Sequence, residues 1–535
     1  MKKLIKLSLI FLFTLFFSNC TKKLLEEKSP NIIFFLVDDL GWSDLGCYGS
    51  EFYETPNIDK LANEGVRFTD AYSACHVCSP TRASILTGKY PASINLTDWL
   101  PGRRDFSFQK LKNVEINQHI PYDINTLPKT LKNNGYKTAI IGKWHLGEDD
   151  ATTLKQGFDF HLPDWNKGWP SKGYYFPYGM KGLEEGDEGD YLTDRLTNEA
   201  IKYIEYNKET PFFLLLSHFA VHDPIQGRKD LVKKYSNKLK GTDPPMGKPF
   251  ILEANPDEKK PITRIELDSL LEDNKYEGFK IFSNQSVKIK QHQDNVQFAG
   301  MVESMDESLG RIMKKLKELE LDQNTVVIFY SDNGGMSAAN FYSPCREISN
   351  NEIYKAFSTS NLPLRGGKGW MYEGGIRVPL IIKWPGKGLQ GFVSEVPVTS
   401  PDFYPTIIEM IGLEAENKNQ KEGISMVPIL KGEKNIEREA IYWHFPHYSN
   451  HGNQSPGGVI RSGDYKLLEY YENNTIQLFN LAKDIGEQND LSATEPKRAE
   501  KLRLLLDNWR RNVNAKMMLP NSEYDESEVL CESKE

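Results

Sequence analysis

Cysteine is scarce in this chain, with 6 in 535 residues. Cys20, Cys47, Cys75, Cys78, Cys345 and Cys531 follow no regular spacing, so they outline no disulfide framework, although an exported chain is free to form disulfides. Cys75 and Cys78 make a single C-x-x-C pair, which invites a zinc or redox reading. No second pair and no paired histidines complete a tetrahedral set, which argues against structural zinc. A long basic run is missing too, and the formal net charge is -8, so no concentrated positive face is available for nucleic acid. Internal repeats are absent, and the only biased segment is the acidic tail.

The N-terminus stands apart. Lys2, Lys3 and Lys6 precede an apolar run from Leu7 to Phe17, followed by Ser18, Asn19 and Cys20. A positive start, an apolar stretch and small or polar residues describe an export signal over 1–19. The run is too short for a comfortable membrane span, which needs about 20 residues. Cys20 directly after it resembles a bacterial lipoprotein cleavage site, so a lipidated Cys20 stands beside simple secretion. The expected location is the periplasm or the outer-membrane surface of a Gram-negative bacterium.

What remains is ample for a large core, at 39% hydrophobic residues. After a polar tether over 20–30 come continuous apolar runs of strand length at 31–37, 137–141, 211–216, 326–330 and 378–382. Runs without polar alternation suit strands covered on both faces, as in a parallel sheet between helices. Helical patterns at 57–64, 127–134, 192–206 and 296–320 alternate with them, which predicts an α/β domain over 31–428 with a large, mostly parallel central sheet. The Lys- and Pro-rich stretch 227–291 has weak periodicity and reads as a surface insertion. Short strand patterns at 440–447, 458–461, 465–471 and 477–480, then an amphipathic helix from 496 to about 513, predict a small α+β subdomain over 429–518. A polar tail, 519–535, closes the chain.

Three apolar strands end in chemically loaded residues: Asp38-Asp39, Lys143-Trp144-His145, and Asp332-Asn333-Gly334. In open parallel sheets, ligands bind beyond the carboxyl ends of strands. Three aspartates and an asparagine offer hard oxygens, which suit Ca²⁺ or Mg²⁺ better than a soft metal. Each motif alone is first of all a turn. The segment Cys78-Ser-Pro-Thr-Arg82, closed by Thr87-Gly88, is more telling. Pro80 is placed to open a helix and Gly88 to end it. Cys78 then sits at a helix N-terminus, where free N–H groups favour an anion, and Arg82 lies on the same face.

This segment resembles the signature of the formylglycine-dependent sulfatases. The run from Gly135 to His145 is similar to that family's second signature. Asp38-Asp39-Leu-Gly-Trp42, His222-Asp-Pro224, Gly367-Lys368-Gly369 and Tyr372-Glu373-Gly374-Gly375 follow in the family's order, across nearly all of the mature chain. The resemblance implies an alkaline-phosphatase-like fold and a sulfuric ester hydrolase. It implies that a separate maturation enzyme oxidises Cys78 to formylglycine (3-oxoalanine), whose hydrated aldehyde attacks sulfur and then expels sulfate. It further implies one Ca²⁺ held by Asp38, Asp39, Asp332 and Asn333 beside residue 78. Arg82, Lys143 and Lys368 would spread the developing charge, His145 would assist the diol, and His222 would protonate the leaving oxygen. His218 reads as a supporting residue.

For substrate, aromatics mixed with donors single out Asp98-Trp99, Arg103-Arg104, Tyr342, Arg346 and the segment 442–447, with Trp99, Arg104, Arg346, His444 and His447 foremost, a set suited to a sulfated oligo- or polysaccharide. Two rival readings remain at this stage. One is a formylglycine-dependent phosphate or phosphonate monoester hydrolase. The other is a non-catalytic glycan-binding lipoprotein.

Overall fold

The computed structural model describes residues 29–147, 151–243, 245–343, 345–413 and 422–525. The export signal, Cys20 and the end of the tail with Cys531 lie outside the described residues. Eight strands form the main sheet: β1 (Asn31–Val37), β2 (Val66–Phe68), β3 (Lys137–Gly142), β4 (Phe160–Leu162), β5 (Phe212–Ser217), β6 (Thr325–Ser331), β7 (Leu380–Lys383) and β8 (Phe392–Ser394). Their spatial order is β8-β2-β7-β6-β1-β5-β3-β4. Only β7 runs against the others, pairing antiparallel with both β6 and β2. The 378–382 run, expected to join a parallel sheet, therefore enters it reversed.

The central strands are apolar throughout because both faces are covered. Ile33, Phe35, Val37, Leu214 and Phe329 point into one core with Leu196, Met301, Met305 and Leu309. Ile32, Phe34, Leu36, Leu215 and Ile328 point into the other with Ala83, Leu86, Phe403 and Ile407. This is the period-2 alternation of a strand, with helices on each side. The longer helices of this region are α1 (Pro56–Glu64), α2 (Cys78–Thr87), α3 (Leu192–Tyr206), α4 (Lys229–Lys240), α5 (Val296–Glu318) and α6 (Phe403–Met410). The 227–291 stretch is more ordered than its weak periodicity suggests. It supplies α4, which buries Leu231 and Tyr235, and an antiparallel strand pair, Phe250–Glu253 with Val287–Lys290. Among the described residues, no helix is long and apolar enough to cross a membrane.

A second, antiparallel sheet follows, in order β9 (Ile441–Phe445), β10 (Gly457–Ser462), β11 (Tyr465–Tyr470) and β12 (Ile476–Asn480). Helix α7 (Pro496–Asn512) lays Ala499, Leu502, Leu506 and Trp509 on it, and Tyr442 stacks on Trp509 at 4.8 Å. Lys466 of β11 is fully buried between Glu373, at 3.0 Å, and Glu487, at 2.8 Å. This ion cluster fastens the second sheet to the turn over 372–376. Removing its one ammonium takes the ion pair from Glu487 and leaves Glu373 with Arg377 at 3.3 Å, so Lys466→Met is expected to cost about 3–5 kcal/mol. Denaturant unfolding of the full chain checks this, and an unshifted midpoint contradicts it.

Register positions the site. Val37 pairs with Ser331 and Leu36 with Ser217, while Gly142 also pairs with Ser217. Strands β1, β6, β5 and β3 thus end at one level. The residues that follow them, Asp38-Asp39, Asp332-Asn333, His218 to His222 and Lys143 to His145, emerge along one edge.

Candidate active site

Helix α2 delivers the thiol to that edge. Val77 holds extended backbone as N-cap, Cys78 opens the helix, and Gly88 ends it in the left-handed region at φ 66° with its N–H on the Ser84 carbonyl. The helix starts two residues before the position that Pro80 suggested, because proline is tolerated anywhere in a first turn that has no donor obligation. Every α2 side chain is buried.

The Cys78 Sγ lies 3.2 Å from Nδ1 of His145. Nε2 of His145 is 2.8 Å from the Leu100 carbonyl oxygen, which only accepts, so Nε2 carries the proton and Nδ1 faces the sulfur as an acceptor. Burial and the Lys143 charge hold this imidazole well below its ordinary pKa, consistent with that neutral tautomer. Ser79 completes the lock, donating to the His145 carbonyl at 2.9 Å and accepting from the Leu100 N–H at 3.2 Å. His145 (φ 55°) and Asp39 (φ 62°) both hold left-handed backbone that non-glycine residues rarely adopt, a strain that clusters at functional sites.

Charge surrounds the thiol. Arg82 Nε and Nη2 each sit 2.7 Å from Asp332 Oδ2, and Nη1 reaches the Lys143 carbonyl and the Ser217 hydroxyl. Lys143 Nζ meets Asp38 Oδ2 at 2.7 Å, and Lys368 Nζ meets Asp39 Oδ2 at 2.7 Å. Asn333 Nδ2 donates to Asp39 Oδ1 at 2.8 Å, and the Asp39 N–H to Asp332 Oδ1 at 3.3 Å. Burial and then the Asp332 charge push the Asp38 carboxyl up, against Lys143. Burial also opposes the charge on Asp39, but Lys368 prevails and holds that carboxyl below the usual range.

The donor set fits a hard cation. Oδ1 of Asp38 and Oδ1 of Asn333 are buried with no hydrogen-bond partner, a state that costs about 1–3 kcal/mol per group unless a ligand relieves it. Oxygens of Asp38 and Asp39 lie within 4.8 Å of one another and of a His222 ring nitrogen. Carboxylate and amide oxygens of this kind suit Ca²⁺.

His222 stands beside the acids, its Nε2 3.7 Å from Asp39 Oδ2 and its Nδ1 2.7 Å from Asp223 Oδ1. Burial and Lys368 oppose its charge, but Asp39, Asp223 and Asp38 outweigh them and hold the imidazole up at about 9. His218 is buried under the sheet edge against the Ser308 hydroxyl, at 3.0 Å, and serves packing.

A cavity of about 410 Å³ opens onto this cluster, lined by Val77, Cys78, Trp99, His145, Gly168, Trp169, His222, Asp223, Asn340, Tyr342, Lys368, Asn450 and His451. Of the substrate residues read from sequence, Trp99 and Tyr342 line it. His444 does not: Tyr471 and the Lys516 carbonyl occupy its two nitrogens at 2.8 Å each, because its place in β9 turns it toward α7. His447 binds the Thr97 hydroxyl at 2.8 Å and lines, with Arg104, a separate hollow of about 380 Å³. Arg104 itself lies over the Phe106 ring. Arg346 is exposed, its Nη1 on the Asn340 carbonyl at 2.9 Å, outside the lining. Asn340, Asn450, His451 and Trp169 escaped the sequence reading, since no periodicity or spacing marks loop residues of this kind. His444→Ala is expected to lower stability by about 1–3 kcal/mol and to leave turnover per folded molecule unchanged, which unfolding and rate measurements together check.

A strand-edge cluster of acids, cations and a helix-tip thiol on a helix-covered, mostly parallel sheet defines a hydrolase of oxyanion esters. The sulfatase family model matches residues 30–413, and the model for the N-sulphoglucosamine sulphohydrolase C-terminal region matches 367–511. The chain belongs to the sulfatase family and has its alkaline-phosphatase-like fold, and it is a sulfuric ester hydrolase. It is 31% identical to a sulfatase of Formosa agariphila, over 93% of this chain and 90% of that one. It is 29% identical to the human N-acetylgalactosamine-6-sulfatase, over 78% and 68% respectively. Among solved structures, Ps i-CgsB in complex with k-i-k-neocarrahexaose superposes with a TM-score of 0.66 at 28% identity, covering 90% of this chain and 93% of that one.

Proposed function

We propose that the protein is exported and removes sulfate from a sulfated oligo- or polysaccharide, using a formylglycine made from Cys78 and one Ca²⁺ held by Asp38, Asp39, Asp332 and Asn333. Relatives named for sulfated sugars, and a solved relative in complex with k-i-k-neocarrahexaose, support the substrate class. The observation that carries the reading is the meeting, at and beneath one cavity floor, of a helix-tip thiol, three aspartates and three buried cations. Bound there, the cation would supply positive charge to a sulfate oxygen and to the nucleophile. Oxidised by its maturation enzyme, residue 78 would present a hydrated aldehyde, a nucleophile able to release the sulfate it accepts. Export and a lipid anchor at Cys20 rest on the N-terminal sequence alone.

The chain's own side chains divide the remaining work. His145 is fixed by Leu100 to offer a bare Nδ1 at residue 78. Arg82, locked on Asp332, and the ammonium groups of Lys143 and Lys368 neutralise charge that builds on the ester. His222 holds a proton for the leaving oxygen, with Asp223 orienting the ring. Matched aryl sulfate and aryl phosphate esters test this assignment. The matured protein is expected to hydrolyse the sulfate faster, and faster phosphate turnover would favour the phosphomonoesterase reading instead.

A further inference from the structure

Above its charged floor, the catalytic cavity has a wall of different chemistry. Trp99, Trp169, Asn340, Tyr342, Asn450 and His451 form it. Three polar atoms of this wall, Oδ1 of Asn340, Oδ1 of Asn450 and Nε2 of His451, are buried without a hydrogen-bond partner in the protein. Asn450 and His451 are each only 6% exposed. Folded proteins seldom leave such groups unpaired, and these three belong to residues that line one cavity.

The wall is held still. Asn340 bridges His451 across two loops, and the Phe341 N–H donates to the Asn450 carbonyl at 2.8 Å. The Ser449 hydroxyl clamps His451, donating to its carbonyl at 3.0 Å and accepting from its N–H at 3.1 Å. A Cβ on Gly369, which sits at φ 85°, would lie 2.3 Å from the Cβ of His451. Glycine next to Lys368 is therefore what lets wall and floor close on each other.

The charges differ sharply between the two levels. Among the described residues lining the cavity, the cations are Lys368 and His222, and both are engaged, with Asp39 at 2.7 Å and with Asp223 at 2.7 Å. The wall itself holds amides, aromatic rings and an imidazole that burial keeps neutral. The one further charge at the rim is the carboxylate of Asp223. Arg346 donates to the Asn340 backbone from outside, and Arg104 faces another hollow. A second sulfate or carboxylate on the bound sugar would lose hydration here and, among the described lining residues, meet no cation that is not already paired. Neutral hydroxyl or acetamido groups would find acceptors and donors, and a ring face would find indole.

We propose that Asn340, Asn450 and His451 form a subsite selecting a sugar whose only anionic group is the sulfate ester being hydrolysed. This inference rests on the sulfatase reading and adds which class of sulfated sugar the site accepts. Its test uses the matured full chain on a panel of N-acetylhexosamine monosulfates, their disulfated counterparts, and an aryl sulfate as sugar-free reference. The best monosulfate is expected to exceed its disulfated counterpart in kcat/KM by about tenfold or more, mainly through KM. Tyr342→Arg, at an exposed wall position, adds the missing cation and is expected to shift that ratio toward the disulfated sugar by about tenfold. Equal or faster turnover of the disulfated sugar by the unaltered protein would overturn the proposal, as would an unmoved ratio in Tyr342→Arg. Failure to turn over any ester, the aryl sulfate included, would instead sink the sulfatase reading beneath it.

Discussion

Cys78→Ala is expected to lower kcat on any sulfate ester by roughly 10⁴-fold or more, since a missing nucleophile costs an enzyme most of its advantage over water. The fold should survive. The Cys78 side chain makes a single contact of consequence, with His145 Nδ1, and His145 remains anchored through Leu100. Alanine also keeps the helix start and frees no backbone group. Unchanged thermal unfolding alongside lost turnover is the expected pair of readings. A variant that keeps appreciable activity would place the nucleophile elsewhere, and the glycan-binding reading predicts that no activity exists to be lost.

Calcium removal should have the second large effect. The orphaned oxygens of Asp38 and Asn333 and the crowding of Asp38 by Asp332 are costs that a cation would relieve. Protein saturated at about a hundredfold excess of Ca²⁺ over its Kd would gain about 2.7 kcal/mol of stability over the stripped form. Chelation is expected to lower the unfolding midpoint and to suppress turnover together, with both restored by added Ca²⁺. Asp38→Asn keeps the side-chain shape but removes one formal charge from the donor set, so its unfolding midpoint should respond far less to Ca²⁺. An Asp38→Asn protein that titrates like the unaltered chain would remove the metal from this cluster.

The site was legible in sequence wherever strand ends carry it. Continuous apolar runs require a two-sided cover, and such sheets expose function at their carboxyl edge, so Asp38-Asp39, Lys143 and Asp332-Asn333 could be read as one group before any register was known. Register then sets them side by side, through Val37 opposite Ser331 and Leu36 opposite Ser217. The reversed β7 was not legible, because an apolar run looks the same in either direction. Nor was the helix over 229–240, where lysines outnumber the two buried positions, Leu231 and Tyr235, that fix it to the molecule.

The cavity wall shows the other limit. His444 and His447 sit in the aromatic stretch that drew attention, yet strand alternation turns His444 toward Tyr471, and His447 binds Thr97. The residues that do face the cavity, Asn450 and His451, lie in the loop just beyond and meet Asn340 only through a bridge between distant segments. No local pattern encodes that meeting.

Turnover per chain can be measured against the fraction of chains carrying formylglycine at residue 78, varied by limiting the maturation enzyme and read by peptide mass. A sulfatase whose nucleophile is made from Cys78 gives a straight line through the origin. Full activity in protein whose Cys78 remains an unmodified thiol would contradict it.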